Sequence, residues 1–130
     1  MGPVENLSAL TQVLLVDDDA SYRKLLLYYL QNAGYEVLEA DDGFAALRMV
    51  EVHQPRLLII DIVMPGMEGL ETIRLLRRQR TPAKILAVSG VDKAHQYLKL
   101  ATQFGADAIA EKGRPVSELL DSINTLIPRQ

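Results

Sequence analysis

The chain has 130 residues, 48% of them hydrophobic and 24% charged, with a net charge of −3. That length and balance suit one globular domain around one core. The mildly acidic total excludes a global nucleic-acid footprint, the lack of cysteine excludes disulfides and thiolate or cysteine–zinc chemistry, and no apolar run approaches the roughly 18 residues of a bilayer span.

Residues 1–11 carry no strong pattern and are expected to form a leader ahead of one domain over residues 12–130. They lack the basic-then-apolar pattern of a signal peptide, so a cytoplasmic protein is expected. Gln12 to Val16 is predicted as a strand that runs into Asp17-Asp18-Asp19. The following helix is capped by Asp19 or Ser21 and ended by Gly34. Tyr22, Leu25, Leu26, Tyr29, Leu30 and Ala33 fall on one face of a 3.6-residue period and are expected to be its buried stripe. Glu36 to Ala40 reads as a strand, Asp41-Asp42-Gly43 as a turn and N-cap, and Phe44, Leu47 and Val50 as the inward side of a helix that stops before Pro55.

Leu57 to Asp61 is the stretch around which the chain is organised. Four large apolar residues run straight into an aspartate, and Pro65-Gly66 follows soon after. A short apolar run bounded by turn signals suits a strand buried on both faces of a parallel sheet. A helix from about Leu70 to Gln79 turns Leu70, Ile73 and Leu76 inward. Lys84 to Val88 is the next strand, ended by Ser89-Gly90. Ala94, Tyr97, Leu98 and Ala101 mark a fourth helical face, closed by Gly105. Ala108 to Ala110 is a short strand before Glu111-Lys112-Gly113, and Val116, Leu119, Leu120, Ile123 and Ile127 mark a last helix stopped by Pro128. Arg74, Arg77, Arg78 and Arg80 are expected to be cations favoured by a helix C-terminus.

Five strands alternating with five helices predict an α/β fold with a parallel sheet covered on both faces. Polar residues gather just after the strands: Asp17 and Asp18, Asp61, Ser89 and Lys112. In the doubly wound order 2-1-3-4-5 the first and third strands are neighbours, so these aspartates share one pocket at the sheet's C-terminal edge. Like charges that close repel, and a divalent cation relieves them. An all-oxygen pocket suits Mg²⁺ or Mn²⁺. Lys112 can reach a phosphate or pair with Asp61, and Ser89 offers a hydroxyl beside Gly90. A carboxylate with these neighbours is set up as a nucleophile toward phosphorus.

The chain resembles the receiver domains of two-component response regulators, the family of the chemotaxis response regulator. The matching pieces are Leu14-Leu15-Val16-Asp17-Asp18, Ile59-Ile60-Asp61 with Met64-Pro65-Gly66-Met67-Glu68-Gly69, Val88-Ser89-Gly90, and Gly105-Ala106-Asp107 leading to Lys112. The resemblance implies a flavodoxin-like sheet of order 2-1-3-4-5. It makes Asp61 the phosphoacceptor, and Asp18, Asp61 and the backbone carbonyl of Val63 the direct Mg²⁺ ligands. Asp17 acts through water, Ser89 is the switch hydroxyl, and Lys112 contacts the phosphoryl group. Val63 and Val91 fall near the attacking water.

The implied donor is a histidine kinase or a histidine phosphotransfer protein. The implied reader is a protein on the face of the fourth helix, fifth strand and fifth helix, with the chain a monomer or a phosphorylation-dependent dimer. No direct contact with nucleic acid or membrane is expected. Enzymatic activity would be limited to Mg²⁺-dependent self-phosphorylation and slow autodephosphorylation. With its end at the fifth helix, the chain is expected to act as a stand-alone module.

Two positions depart from the family pattern. Ile109 stands where an aromatic residue is usual, and Gly113 where proline usually follows the lysine. These departures leave a phosphorylation-independent scaffold as the alternative. A small-molecule aspartyl phosphatase is a weaker alternative, since Val63 stands where that class carries a second aspartate.

Overall fold

The computed structural model describes residues 10–64, 68–90 and 94–129. The expected leader up to residue 9, the Pro65-Gly66-Met67 turn and Val91 lie outside the described residues. In chain order the elements are β1 (Gln12–Val16), α1 (Ala20–Asn32), β2 (Glu36–Ala40), α2 (Gly43–His53), β3 (Leu57–Asp61), α3 (Gly69–Arg78), β4 (Lys84–Ser89), α4 (Ala94–Phe104), β5 (Ala108–Glu111) and α5 (Val116–Leu126). The sheet order is β2-β1-β3-β4-β5, every pair parallel. The fourth and fifth strands each run one residue further than their sequence patterns indicate.

All five residues of β3 are buried, because this strand has a strand on either side and helices on both faces. Its side chains alternate between two cores. Leu58 and Ile60 join Leu14, Val16 and Ile85 beneath Val50, Ile73, Leu76 and Leu98 of α2, α3 and α4. Leu57 and Ile59 join Val13, Leu15 and Leu86 beneath Leu26, Leu30, Leu119 and Ile123 of α1 and α5. Strand register therefore decides which core each residue enters, and a slip of one residue would invert both.

The helix stripes differ from expectation at several positions. In α1, Leu26 and Leu30 are buried, with Tyr22, Leu27 and Ala33 packed beside them, while Leu25 and Tyr29 face water. The run Leu25-Leu26-Leu27-Tyr28-Tyr29-Leu30 is apolar on every side, so periodicity alone does not choose its inner face. In α2, Ala46 and Val50 turn inward and Phe44, in the first turn, is exposed; in α4, Leu98 and Ala101 are buried but Tyr97 is not. The side chain of Ala94 lies outside the described residues. Leu70, Ile73 and Leu76 are buried in α3, as are Leu119, Ile123 and Ile127 at the end of the chain.

Arg77 is more than a cation at a helix end. Its Nε donates to the Gly105 carbonyl at 2.8 Å, and Nη1 donates to the carbonyls of Thr81 and Ala83, each at 2.9 Å. Nη2 meets Asp107 Oδ2 at 2.6 Å, and that oxygen also accepts the Ile85 N–H at 2.8 Å. One guanidinium thus ties the end of α3 to the entries of β4 and β5. Arg77→Ala is expected to lower stability by about 2–3 kcal/mol by orphaning these carbonyls. Arg77→Lys should recover little, because one ammonium cannot serve a forked donor set. Urea unfolding of both variants checks this, and a lysine variant as stable as wild type would contradict it.

Candidate functional site

Asp17 extends β1 by a backbone hydrogen bond from its N–H to the Ala40 carbonyl at 3.1 Å. Its Oδ1 accepts the Asp19 N–H at 2.9 Å. Asp19 in turn caps α1 by accepting from Ser21 and Tyr22. Arg23, one turn into α1, donates to the Asp17 carbonyl and pairs with Glu39 at 3.1 Å. The acidic turn is therefore held by its own helix start and by β2. Asp61 closes β3, and its Oδ1 accepts the Val63 N–H at 3.1 Å.

The carboxylate oxygens of Asp17, Asp18 and Asp61 lie within 4.8 Å of one another. Asp17 and Asp61 are only 4% and 6% exposed, whereas Asp18 faces solvent. Lys112 reaches in from the end of β5. Its Nζ lies 2.7 Å from Asp17 Oδ2 and 3.3 Å from Asp61 Oδ2. The expected pairing with Asp61 is thus present, but Asp17 is the nearer partner. The contact to Asp17 is an ion pair without hydrogen-bond geometry, so that buried oxygen accepts no hydrogen bond among the described residues. Ser89 is fully buried at the end of β4, opposite Glu111, and its carbonyl accepts the Lys112 N–H at 2.9 Å.

Burial pushes the Asp61 carboxyl above the ordinary carboxylate range, and the Asp17 charge pushes the same way. The Val63 N–H and the Lys112 ammonium pull back without cancelling the rise. For Lys112 burial acts downward, but the carboxylates of Asp17 and Asp61 outweigh it and hold the ammonium above its ordinary value. The site is a set of oxygens short of positive charge, with one ammonium set against three carboxylates. That donor set fits a hard divalent cation such as Mg²⁺ or Mn²⁺.

Two glycines let the pieces approach. A Cβ on Gly69 would lie 2.0 Å from the Asp61 carbonyl oxygen and 2.5 Å from Ile62 Cα, so α3 starts directly against the end of β3. A Cβ on Gly90 would lie 3.1 Å from both Cβ and Cδ of Lys112. The expected room beside Ser89 is the track of the lysine stem. Gly113 has a φ of +88°, so the β5–α5 turn takes a shape proline cannot adopt. Ile109 is 44% exposed. Sequence reasoning treated Tyr22 as packing alone, yet the Lys112 Nζ stands 4.5 Å from its ring centroid. Its position one turn after the acidic run was the available signal.

A doubly wound parallel sheet with carboxylates gathered at the C-terminal ends of adjacent β1 and β3, and a lysine beside them, is an acidic-site flavodoxin-like domain. The response regulator receiver domain model matches residues 13–124, and the chain belongs to that family, the receiver domains of two-component systems. It is 31% identical over 118 residues to the alkaline phosphatase synthesis transcriptional regulatory protein PhoP of Bacillus subtilis (strain 168), covering 91% of this chain and 49% of that one. It is 36% identical over 118 residues to the response regulator MprA of Mycobacterium leprae (strain TN), covering 91% of this chain and 51% of that one. The chain thus spans about half the length of these curated relatives. The solved chemotaxis protein CheY4 of Vibrio cholerae superposes with a TM-score of 0.83 at 30% identity, over 92% of this chain and 100% of that one. No helix among the described residues is long and apolar enough to cross a membrane.

Proposed function

We propose that residues 12–130 form a phosphoacceptor module of a two-component phosphorelay, with residues 1–11 as a leader. The observation that carries this reading is the cluster of Asp17, Asp18 and Asp61 with Lys112 set between Asp17 and Asp61. Asp18, Asp61 and the Val63 carbonyl would hold Mg²⁺ directly, and Asp17 would act through a bound water. When bound, the cation offsets the charge of the carboxylates and of an incoming phosphoryl group.

Asp61 attacks the phosphorus of a phosphohistidine on a histidine kinase or phosphotransfer protein. A P–O bond to the aspartate forms as the P–N bond breaks. The bonding pair stays on the imidazole nitrogen, which takes up a proton. Lys112 turns its ammonium toward the phosphoryl oxygens, and Ser89 supplies a hydroxyl donor. Hydrolysis of the acyl phosphate later returns the free carboxylate and inorganic phosphate. The phosphoryl group favours one of two conformations, and a downstream protein reads the face of α4, β5 and α5. The module works in the cytoplasm as a monomer or a phosphorylation-dependent dimer.

Intact mass after incubation with Mg²⁺ and acetyl phosphate tests this reading. One phosphate adduct is expected on wild type and none on Asp61→Asn. An adduct that persists on Asp61→Asn refutes the assignment of the acceptor. The exposure of Ile109 and the left-handed turn at Gly113 favour a second reading, a scaffold bound by its partner without phosphorylation. Equal partner affinity for wild type and Asp61→Asn, unchanged by acetyl phosphate, would select it.

A further inference from the structure

We infer that Tyr22 is a positioning residue for Lys112, whose ring keeps the lysine ammonium at the acidic site whatever charge Asp61 carries. This rests on the reading of Asp61 as the phosphoacceptor. The ammonium is bounded by Asp17 at 2.7 Å, Asp61 at 3.3 Å and the Tyr22 ring centroid at 4.5 Å, while the lysine stem runs past Gly90. The Tyr22 backbone is held in the first turn of α1, where its N–H donates to the Asp19 cap at 3.2 Å, and its side chain packs against the core of Leu26 and Leu30. Burial raises the phenol above its ordinary value, so the ring presents a neutral face at neutral pH.

The two carboxylates cannot do this work alone. Their pull on Lys112 changes when a divalent cation binds, and again when Asp61 is phosphorylated. A ring face attracts an ammonium through its quadrupole, and that attraction does not depend on the charge state of either aspartate. It grows as water is removed, and the Lys112 side chain is only 16% exposed. Tyr22 therefore supplies the constant part of the lysine's restraint, and the carboxylates supply the variable part. Pre-placing a cation where charge develops is worth rate, because less rearrangement is needed at the moment of transfer.

The experiment uses the whole chain as wild type, Tyr22→Phe and Tyr22→Leu, each also with Lys112→Ala. Phosphoryl gain from acetyl phosphate is followed by intact mass across donor concentrations. Tyr22→Leu is expected to slow the limiting rate about fivefold with the half-saturating donor concentration unchanged, while Tyr22→Phe stays within about twofold of wild type. In the Lys112→Ala background Tyr22→Leu should slow nothing further.

A second readout does not depend on phosphorylation. The Lys112 ε-methylene protons should show an upfield ring-current shift in wild type and Tyr22→Phe, lost in Tyr22→Leu. Unshifted protons in wild type overturn the inference, as does an undiminished effect of Tyr22→Leu without the lysine. If wild type gains no phosphate, the acceptor reading fails by itself, and the proton shift alone decides whether the ring holds the lysine.

Discussion

Gly69→Ala is expected to be among the most destabilising single methyl additions in this chain, at about 3 kcal/mol or more. The added Cβ would sit 2.0 Å from the Asp61 carbonyl oxygen, 2.5 Å from Ile62 Cα and 2.8 Å from the Asp61 carbonyl carbon. All three are backbone atoms, so no side-chain rotation relieves the clash. Either α3 moves outward and loosens Leu70, Ile73 and Leu76, or the end of β3 moves and takes the Asp61 carboxylate with it. Both routes damage the acidic site, so Mg²⁺ affinity should fall together with stability. Gly113→Ala is the control. Nothing lies within 4 Å of its added Cβ, and its cost comes from the positive φ alone, about 1 kcal/mol. Denaturant midpoints and Mg²⁺ titrations on the two variants give the comparison. A Gly69→Ala protein that melts and binds like wild type would show that α3 has slack which the packing denies.

Lys112→Met should have the second large effect, and its size should depend on pH. Without a divalent cation, the ammonium is what offsets two carboxylates that are almost wholly buried. Removing one side of a buried ion pair is costly because the other side keeps its desolvation, and a loss of about 2–3 kcal/mol at neutral pH is expected. Asp61 already titrates above its ordinary range in wild type, chiefly through burial. A carboxyl raised on folding favours the folded state when protonated. Its contribution is full below the unfolded value and is lost as pH rises through the folded value. The metal-free variant should therefore recover stability on acidification from neutral pH down toward the ordinary carboxylate range, over a wider window than wild type. Mg²⁺ should stabilise the variant more than wild type, since a cation returns. Thermal melts against pH, with and without Mg²⁺, test both parts. A variant that melts like wild type at every pH would mean the lysine does not carry that charge balance.

How far the sequence reveals this molecule depends on which force decides each feature. The strands were legible because β1, β3 and β4 are apolar runs that end at a polar residue, and burial on two faces leaves little else for such a run to be. The site was legible for the same reason: strand ends in a parallel sheet converge, so Asp17, Asp18, Asp61 and Lys112 needed only the strand order to meet. The inner face of α1 was not legible. Six consecutive apolar residues offer two adjacent stripes, and only packing against β1 and β3 selects Leu26 and Leu30 over Leu25 and Tyr29. The clamp at Arg77 and the contact at Gly69 were hidden too. They depend on where the end of β3 and the entries of β4 and β5 place backbone atoms, which no periodicity encodes.

The two rims of the sheet bear on how this chain behaves in a crowded solution. Among the described residues, β2 and β5 each leave one row of backbone donors and acceptors without a neighbouring strand. Such rows are templates for aggregation. Here they are five and four residues long, and they carry exposed Glu36 on one rim and Glu111 on the other, with Glu39 paired to Arg23. Two copies that met rim to rim would bring glutamates together across a short interface, with little ladder gained in return. The parallel sheet that gathers acids at one end thus carries other acids along its borders, where like charge opposes rim-to-rim pairing.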